Sequence, residues 1–315
     1  MGRHYEFDLN RIHTQPIAER TSKVFVSDFA KPPRAESSFR NFFDSLPKIL
    51  AGTGIRDAAQ AVARARQNGK PVLFAMGAHV IKCGLSTVVI DLIDRGIITS
   101  ISMNGAGAIH DSEIALFGAT SEDVLAGLKD GTFGMSSETA SFLNGASQDA
   151  MRSGCGLGES IGRLLLESSP NDRVSILAAC ARKAIPATIH VGIGTDIVHM
   201  HPSADGAAYG ETSLRDFRIL VGCLESLNGG GALLNVGSAV ILPEVILKGF
   251  AILRSAGLPL QDFTSINLDF VQQYRSGQQI VLRTSQLGAR GIALTGHHEI
   301  MIPLLAHAVL DLLAS

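Results

Sequence analysis

The 315-residue sequence has no Trp, and aromatic residues make up only 5% of it. A core so poor in large rings must be built from aliphatic and small side chains, which suits helices lying close against a parallel sheet. Cysteine is scarce too: Cys83, Cys155, Cys180 and Cys223 stand far apart with no paired spacing. That excludes a disulfide framework or a zinc knuckle and leaves four separate buried thiols. There is no excess of either charge, since 27 Lys and Arg face 29 Asp and Glu for a net charge of -2. A nucleic-acid partner is therefore not expected, because nothing supplies a phosphate-neutralising surface. The longest apolar runs, AILRSAGLPL and IMIPLLAHAVLDLLA, are too short or too interrupted to cross about 30 Å of hydrocarbon, so no membrane span is expected. The opening MGRHYEFDLNRIHTQ carries charges where an export signal needs its apolar stretch. The expected location is cytoplasmic. Neither an internal repeat nor a low-complexity tract is present.

What the sequence does contain is alternation. Residues 1–50 are polar and irregular, with KPPRAESS in their middle, and read as an N-terminal arm that reaches towards a neighbouring subunit. Residues 51–315 read as one α/β nucleotide-binding domain. GIRDAAQAVARARQNG is an amphipathic helix stopping at Gly69, and KPVLFAMGA is a strand apolar on both faces. LSTVVIDLIDRG is a helix, IITSISMNGAG a strand running into a glycine turn, and IPATIHVGIGTD another. GALLNVGSA and FTSINLDF follow as strands with helices between them, IVLRTSQ reads as a further strand, and IMIPLLAHAVLDLLA as the closing helix. The expected fold is a doubly wound, mostly parallel, Rossmann-like sheet with helices on both faces.

In such sheets ligands sit outside the carboxyl ends of the strands. The residues just after each strand therefore become the candidates. Gly77, the NGAG turn of Asn104, Gly105, Ala106 and Gly107, then Thr195 and Asp196, then Gly237 and Ser238, and finally Asn267 all fall there. Glycine lets main-chain N–H groups approach a nucleotide, and a helix start adds partial positive charge. GCGLGES at 154–160 resembles a phosphate cradle, but its glycines fit close packing at a helix start better. Histidines are concentrated in the same loops. His199 and His201 are two apart, so in an extended segment both rings share a face, and His297, His298 and Glu299 stand after a later turn. The group suits a polar pocket that moves protons or holds a carboxylate or amine. A divalent metal held by these histidines, with Asp111 or Asp196 completing the ligands, is the less favoured alternative, because no strong metal signature such as HExxH is present. NVGSAV lacks the elbow of a serine hydrolase.

The order of these segments resembles the deoxyhypusine synthase family over residues 70–312. ITSISMNGAG is similar to that family's early glycine turn, AIPATIHVGIGTD to its later strand with a TD pair, and SLRDFRIL to the helix that follows. GALLNVGSAVILPEVI, SINLD, Gly288 to Arg290 and IMIPLLAHAVL continue the match in order. The resemblance implies an NAD site shared between subunits of a tetramer, with the cofactor touching Asn104 to Gly107, Thr195, Asp196, Gly237, Ser238 and Asn267. It also puts His199 or His201 near the substrate. The chain departs from the family at GIALTGHHEIM, where the family carries the lysine that forms an imine with the substrate. No lysine follows Lys248, so the imine relay cannot run and a true deoxyhypusine synthase is not expected.

The resulting expectation is an NAD-dependent enzyme of transferase or oxidoreductase type, acting on a small polar metabolite, an amine or amino acid. His199, His201, His298, Glu299 and Asp196 are its candidate catalytic residues. A metal-dependent hydrolase or lyase, or a non-catalytic nucleotide-binding protein, are the alternatives. Either way a homo-oligomer, a tetramer, is expected.

Overall fold

The computed structural model describes residues 4–314. The chain divides into two compact units at Thr53 and Gly54. The first holds three short 3-10 turns, Leu9–Arg11, Ile17–Glu19 and Val26–Asp28, and the helix Phe39–Ser45. Ser38 starts that helix by accepting a hydrogen bond from the Asn41 amide at 3.2 Å. Tyr5, Phe7, Leu9, Ile12, Ile17, Val24, Phe25, Val26 and Phe29 all stand exposed.

The second unit is built on six strands: β1 (Val72–Met76), β2 (Ser100–Asn104), β3 (Ala187–His190), β4 (Ala232–Val236), β5 (Thr264–Asp269) and β6 (Arg290–Thr295). They form one sheet in the order β3-β2-β1-β4-β5-β6, and every pairing is parallel. All residues of β1, β3 and β4 are buried, as strands covered on both faces must be. One face packs Leu73, Ala75 and Leu233 against Leu220 and Leu224 of the helix Gly206–Glu225 and against Leu242, Ile246 and Phe250 of the helix Ile241–Ser255. On the other face, Val72, Phe74, Leu234 and Leu268 meet the helices Leu50–Gln67, Ser86–Asp94 and His298–Leu313 around a cavity of only about 20 Å³. The fold is thus the doubly wound, Rossmann-like α/β sheet.

Two local expectations fail near the carboxyl terminus. The segment IVLRTSQ is not a strand: residues Gly277–Leu282 form a π-helical turn and Arg283–Gln286 an α-helical one. Its apolar residue Ile280 is buried, but its carbonyl is taken by Ser265 Oγ at 2.6 Å instead of a neighbouring strand. The strand that follows comes one segment later, as β6, an edge strand burying alternate residues Ile292 and Leu294. A six-residue run with one buried face carries half the apolar signal of a central strand, and the preceding apolar run drew the prediction away from it.

Candidate functional site

Six parallel strands direct their carboxyl ends to one edge of the sheet, and the strand order reverses between β1 and β4. Sites belong at that edge. Two regions of it carry polar groups.

At the ends of β2 and β3, Asn104 caps the helix Gly105–Phe117, its Oδ1 accepting from the Gly107 amide at 3.0 Å. Asp196 lies directly against Gly105, where any Cβ would overlap the carboxylate. Gly105 is therefore required by this approach. Asp196 is 7% exposed and its Oδ2 is buried with no hydrogen-bond partner, and burial raises its pKa to about 6. Ala106, Thr195 and Asp196 line a cavity of about 590 Å³ together with Lys82, His110, Glu113, Glu122, Glu138 and Thr139. Phe117, Phe133 and Ile197 supply apolar wall. Glu113 accepts from Thr139 Oγ1 at 3.0 Å and from Thr120 Oγ1, and Glu122 accepts from the Gly134 amide at 3.0 Å. His110 is held in its less basic range by burial.

His199 and His201 flank this region without sharing a face. Residues Ile197–Met200 form a 3-10 turn, not an extended segment. His199 Nδ1 accepts from the Gly194 amide at 3.3 Å, its ring meets Tyr209 edge-on at 4.8 Å, and its Nε2 is buried and unpartnered. With Gly105, Asp196 and Tyr209 it borders a space of about 10 Å³. His201 Nε2 donates to the Gly134 carbonyl at 2.8 Å.

At the ends of β1, β4, β5 and β6 the arrangement differs. Gly77 and Gly237 abut each other so closely that a Cβ on Gly77 would overlap the Gly237 carbonyl. Gly237 has φ +66°, and a Cβ there would come within 2.7 Å of His298 Cε1. Ser238 Oγ accepts from the Leu242 amide at 3.2 Å, and Asn267 joins Asn235 at 2.7 Å and Gln272 at 2.8 Å. These four positions thus each have a use inside the protein. Above them His298, fully buried, places Nδ1 2.9 Å from His79 Nδ1. His79 Nε2 lies 3.5 Å from Cys83 Sγ, which in turn lies 3.7 Å from Glu299 Oε2. The Asp269 carboxylate lies 3.6 Å from His298 Nε2. Burial pulls the His298 pKa down, against the opposing pull of Asp269.

The expected single cluster of histidines is therefore split. His199 and His201 stand with Asp196, while His298 and Glu299 stand with His79, which the sequence puts just after a strand but not among the catalytic candidates, and with Cys83, which it reads as a buried structural thiol. Their i, i+4 spacing just after β1 was the available signal. Asp111 is not in either region: it is fully buried, accepting from Ser175 Oγ at 2.6 Å and from the Ile176 amide at 2.8 Å at the start of another helix. The GCGLGES segment likewise serves packing, because Asp216 takes the Gly158 amide at 2.9 Å and the Ile189 amide at 2.8 Å. Burial raises the Asp216 carboxyl to about pKa 7.

Strand order and edge together define an α/β protein of the Rossmann-like class with polar groups gathered in two regions along the carboxyl edge of its sheet. No family model and no curated protein sequence matches the chain. Among solved structures it is similar to a protein of Methanococcus maripaludis S2 assigned to the LOR/SDH group, at 16% identity and TM-score 0.50, over 90% of this chain and 74% of that one. An Entamoeba histolytica protein assigned as a deoxyhypusine synthase matches at 9% identity and TM-score 0.50, over 88% of this chain and 94% of that one. AgrE, solved with ornithine and NAD+, matches at 15% identity and TM-score 0.49, over 82% of this chain. The chain spans about a third, 33%, of the AgrE chain. These likenesses are of fold.

Proposed function

We propose that this protein is an enzyme that binds NAD or a related nucleotide at the carboxyl edge and acts on a small amine or amino acid, by transferase or oxidoreductase chemistry other than deoxyhypusine synthesis. The observation that carries the reading is the cavity of about 590 Å³ bordered by Glu113, Glu122, Glu138 and Asp196, with Lys82 as its one lysine. Glu113 and Glu122 are engaged by neighbours, so Asp196 is the buried carboxylate with an oxygen left to offer. An ammonium group or a ribose hydroxyl would satisfy it, as buried acceptors require.

The place left for a nucleotide is the start of the helix Gly105–Phe117, where Ala106 lines the cavity and the helix end adds partial positive charge, the Gly107 amide being already taken by Asn104 Oδ1. Gly77, Gly237, Ser238 and Asn267 would support that place from behind rather than touch the cofactor. When bound, the nucleotide would supply hydride transfer. Asp196 would hold a substrate ammonium or a cofactor ribose. His199, kept less basic by burial, would donate a proton from Nε2, because its Nδ1 accepts from the Gly194 amide, and His201 would brace the turn at Gly134. His298 and Glu299 belong to the neighbouring region. Calorimetry with NAD and NADP, each with and without a panel of diamines and basic amino acids, tests the proposal. Micromolar dinucleotide binding and tighter amine binding in its presence are expected; absence of both rejects it.

The protein is further proposed to be a cytoplasmic homo-oligomer, a tetramer. No helix of the described residues is long and apolar enough to cross a membrane, and the four cysteines are free. The apolar side chains exposed between Tyr5 and Phe29 are what a contact between copies would cover. Light scattering should give a multiple of the chain mass, reduced in a Phe25→Ser, Val26→Ser variant; a monomeric wild type would reject the assembly.

A further inference from the structure

We infer that His79, Cys83 and His298 form a binding site for one divalent d-block cation, Zn2+ before others, with a coordination position left open. The three side chains come from the turn after β1 and the start of the last helix, and one ligand atom from each lies within 4.8 Å of the other two. A tetrahedral Zn2+ sits about 2.0–2.1 Å from imidazole nitrogen and about 2.3 Å from thiolate sulfur. Those lengths separate neighbouring ligand atoms by roughly 3.3–3.6 Å. Cys83 Sγ lies 3.5 Å from His79 Nε2 and His298 Nδ1 lies 2.9 Å from His79 Nδ1, so whichever nitrogen of the His79 ring binds the ion, one neighbouring ligand atom already stands close to that spacing.

The site is built rather than accidental. Gly237 has no Cβ where one would strike the His298 ring, and the ring is fully buried. Its Nε2 has no hydrogen-bond partner but faces Asp269 Oδ1 at 3.6 Å. At 3.6 Å the Asp269 carboxylate is not hydrogen-bonded to the far nitrogen but sets negative charge beside it, leaving the near one, Nδ1, as the metal ligand. Phe270 packs against both rings, with centroids 5.5 Å from His79 and 6.1 Å from His298. On the remaining side His79 is exposed and Cys83 half-buried, so solvent reaches the fourth position. Two imidazoles and a thiolate suit Zn2+ over Mg2+ or Ca2+, and three protein ligands with one open place are the pattern of a catalytic ion. Glu299, 3.7 Å from Cys83 Sγ, stands where it would take a proton from a bound water or close the site as a fourth ligand.

The inference goes beyond the nucleotide reading, and its test is separate from it. The full chain, stripped with chelator and dialysed, is titrated with Co2+. One equivalent is expected to bind with intense visible bands of tetrahedral cobalt and a near-ultraviolet band from thiolate to cobalt, both erased by added Zn2+. Cys83→Ser should lose the sulfur band, and His79→Gln should keep it while binding at least tenfold more weakly; neither side chain is in the packed core. Absence of stoichiometric uptake by the wild type, uptake without a sulfur band, or wild-type binding by both variants would each overturn the site. NAD binding by the metal-free chain, measured alongside, reports on the nucleotide reading alone.

Discussion

At the ends of β2 and β3, a glycine turn and a buried acid border an open cavity. At the ends of β1 and β4, two glycines close on each other and an imidazole pair fills the space above them. Both regions begin with the same local pattern, a buried parallel strand ending in glycine. Glycine in that position reports close approach, and the neighbouring strand decides what approaches. Against Gly105 it is the Asp196 carboxylate, against Gly77 the Gly237 backbone, and against Gly237 the His298 ring.

The sharpest way to break the comparison is Gly77→Ala. The added methyl would meet main chain, which cannot turn aside, so a loss of about 3 kcal/mol or more is expected. Gly107→Ala would meet side-chain atoms, Met103 Cβ and Sδ at 3.1 and 3.2 Å and Asn104 Oδ1 at 3.3 Å, and a loss of about 1 kcal/mol is expected. Urea unfolding of the two variants side by side measures the contrast; equal losses would show that both turns yield alike.

Asp196→Asn tests the open region. In the folded protein its carboxyl titrates at about 6, against about 4 in an unfolded chain. The folded state thus holds the proton more tightly, and this group's contribution to stability is fullest below about pH 4 and is lost as pH rises through 6. The cost is on the order of 2–3 kcal/mol by pH 7. Asp216, at about 7, slopes the same way over a slightly higher range. Unfolding midpoints between pH 4 and 8 should therefore fall less steeply in Asp196→Asn than in the wild type. An unchanged slope would mean that solvent reaches Asp196. The same variant should bind amines at least tenfold more weakly.

The smallest effect is expected far from the edge. Gly145 lies inside the helix Ser137–Ser153 with nothing within 4 Å of where a Cβ would stand. Gly145→Ala should stabilise the protein by about 0.5–1 kcal/mol. A loss instead would show a contact made by a second copy of the chain.

Much of the architecture was legible. Runs such as VLFAM and ALLNV are apolar at every position because both their faces are covered, and such runs announce central parallel strands. β6 was missed because its alternate residues face outward, and a neighbouring apolar run carried the stronger signal. The pairing of His199 with His201 failed because a 3-10 turn, not extended chain, follows Asp196. Of the candidate residues, Asn104 to Gly107, Thr195 and Asp196 are found together, and so are Gly237 and His298, but no local pattern says that these are two regions.

The sequence by itself determined that strands and helices alternate, that the central strands are buried on both faces, and that glycine turns end several of them. Burial and periodicity act over a few residues and can be read from a few residues. Only the tertiary structure decided that β1 lies beside β4. That order sets His79 against His298, 219 residues further along the chain, and sends Asp196 to another region. Strand order depends on how crossovers pack across the whole sheet, and no short segment carries that information.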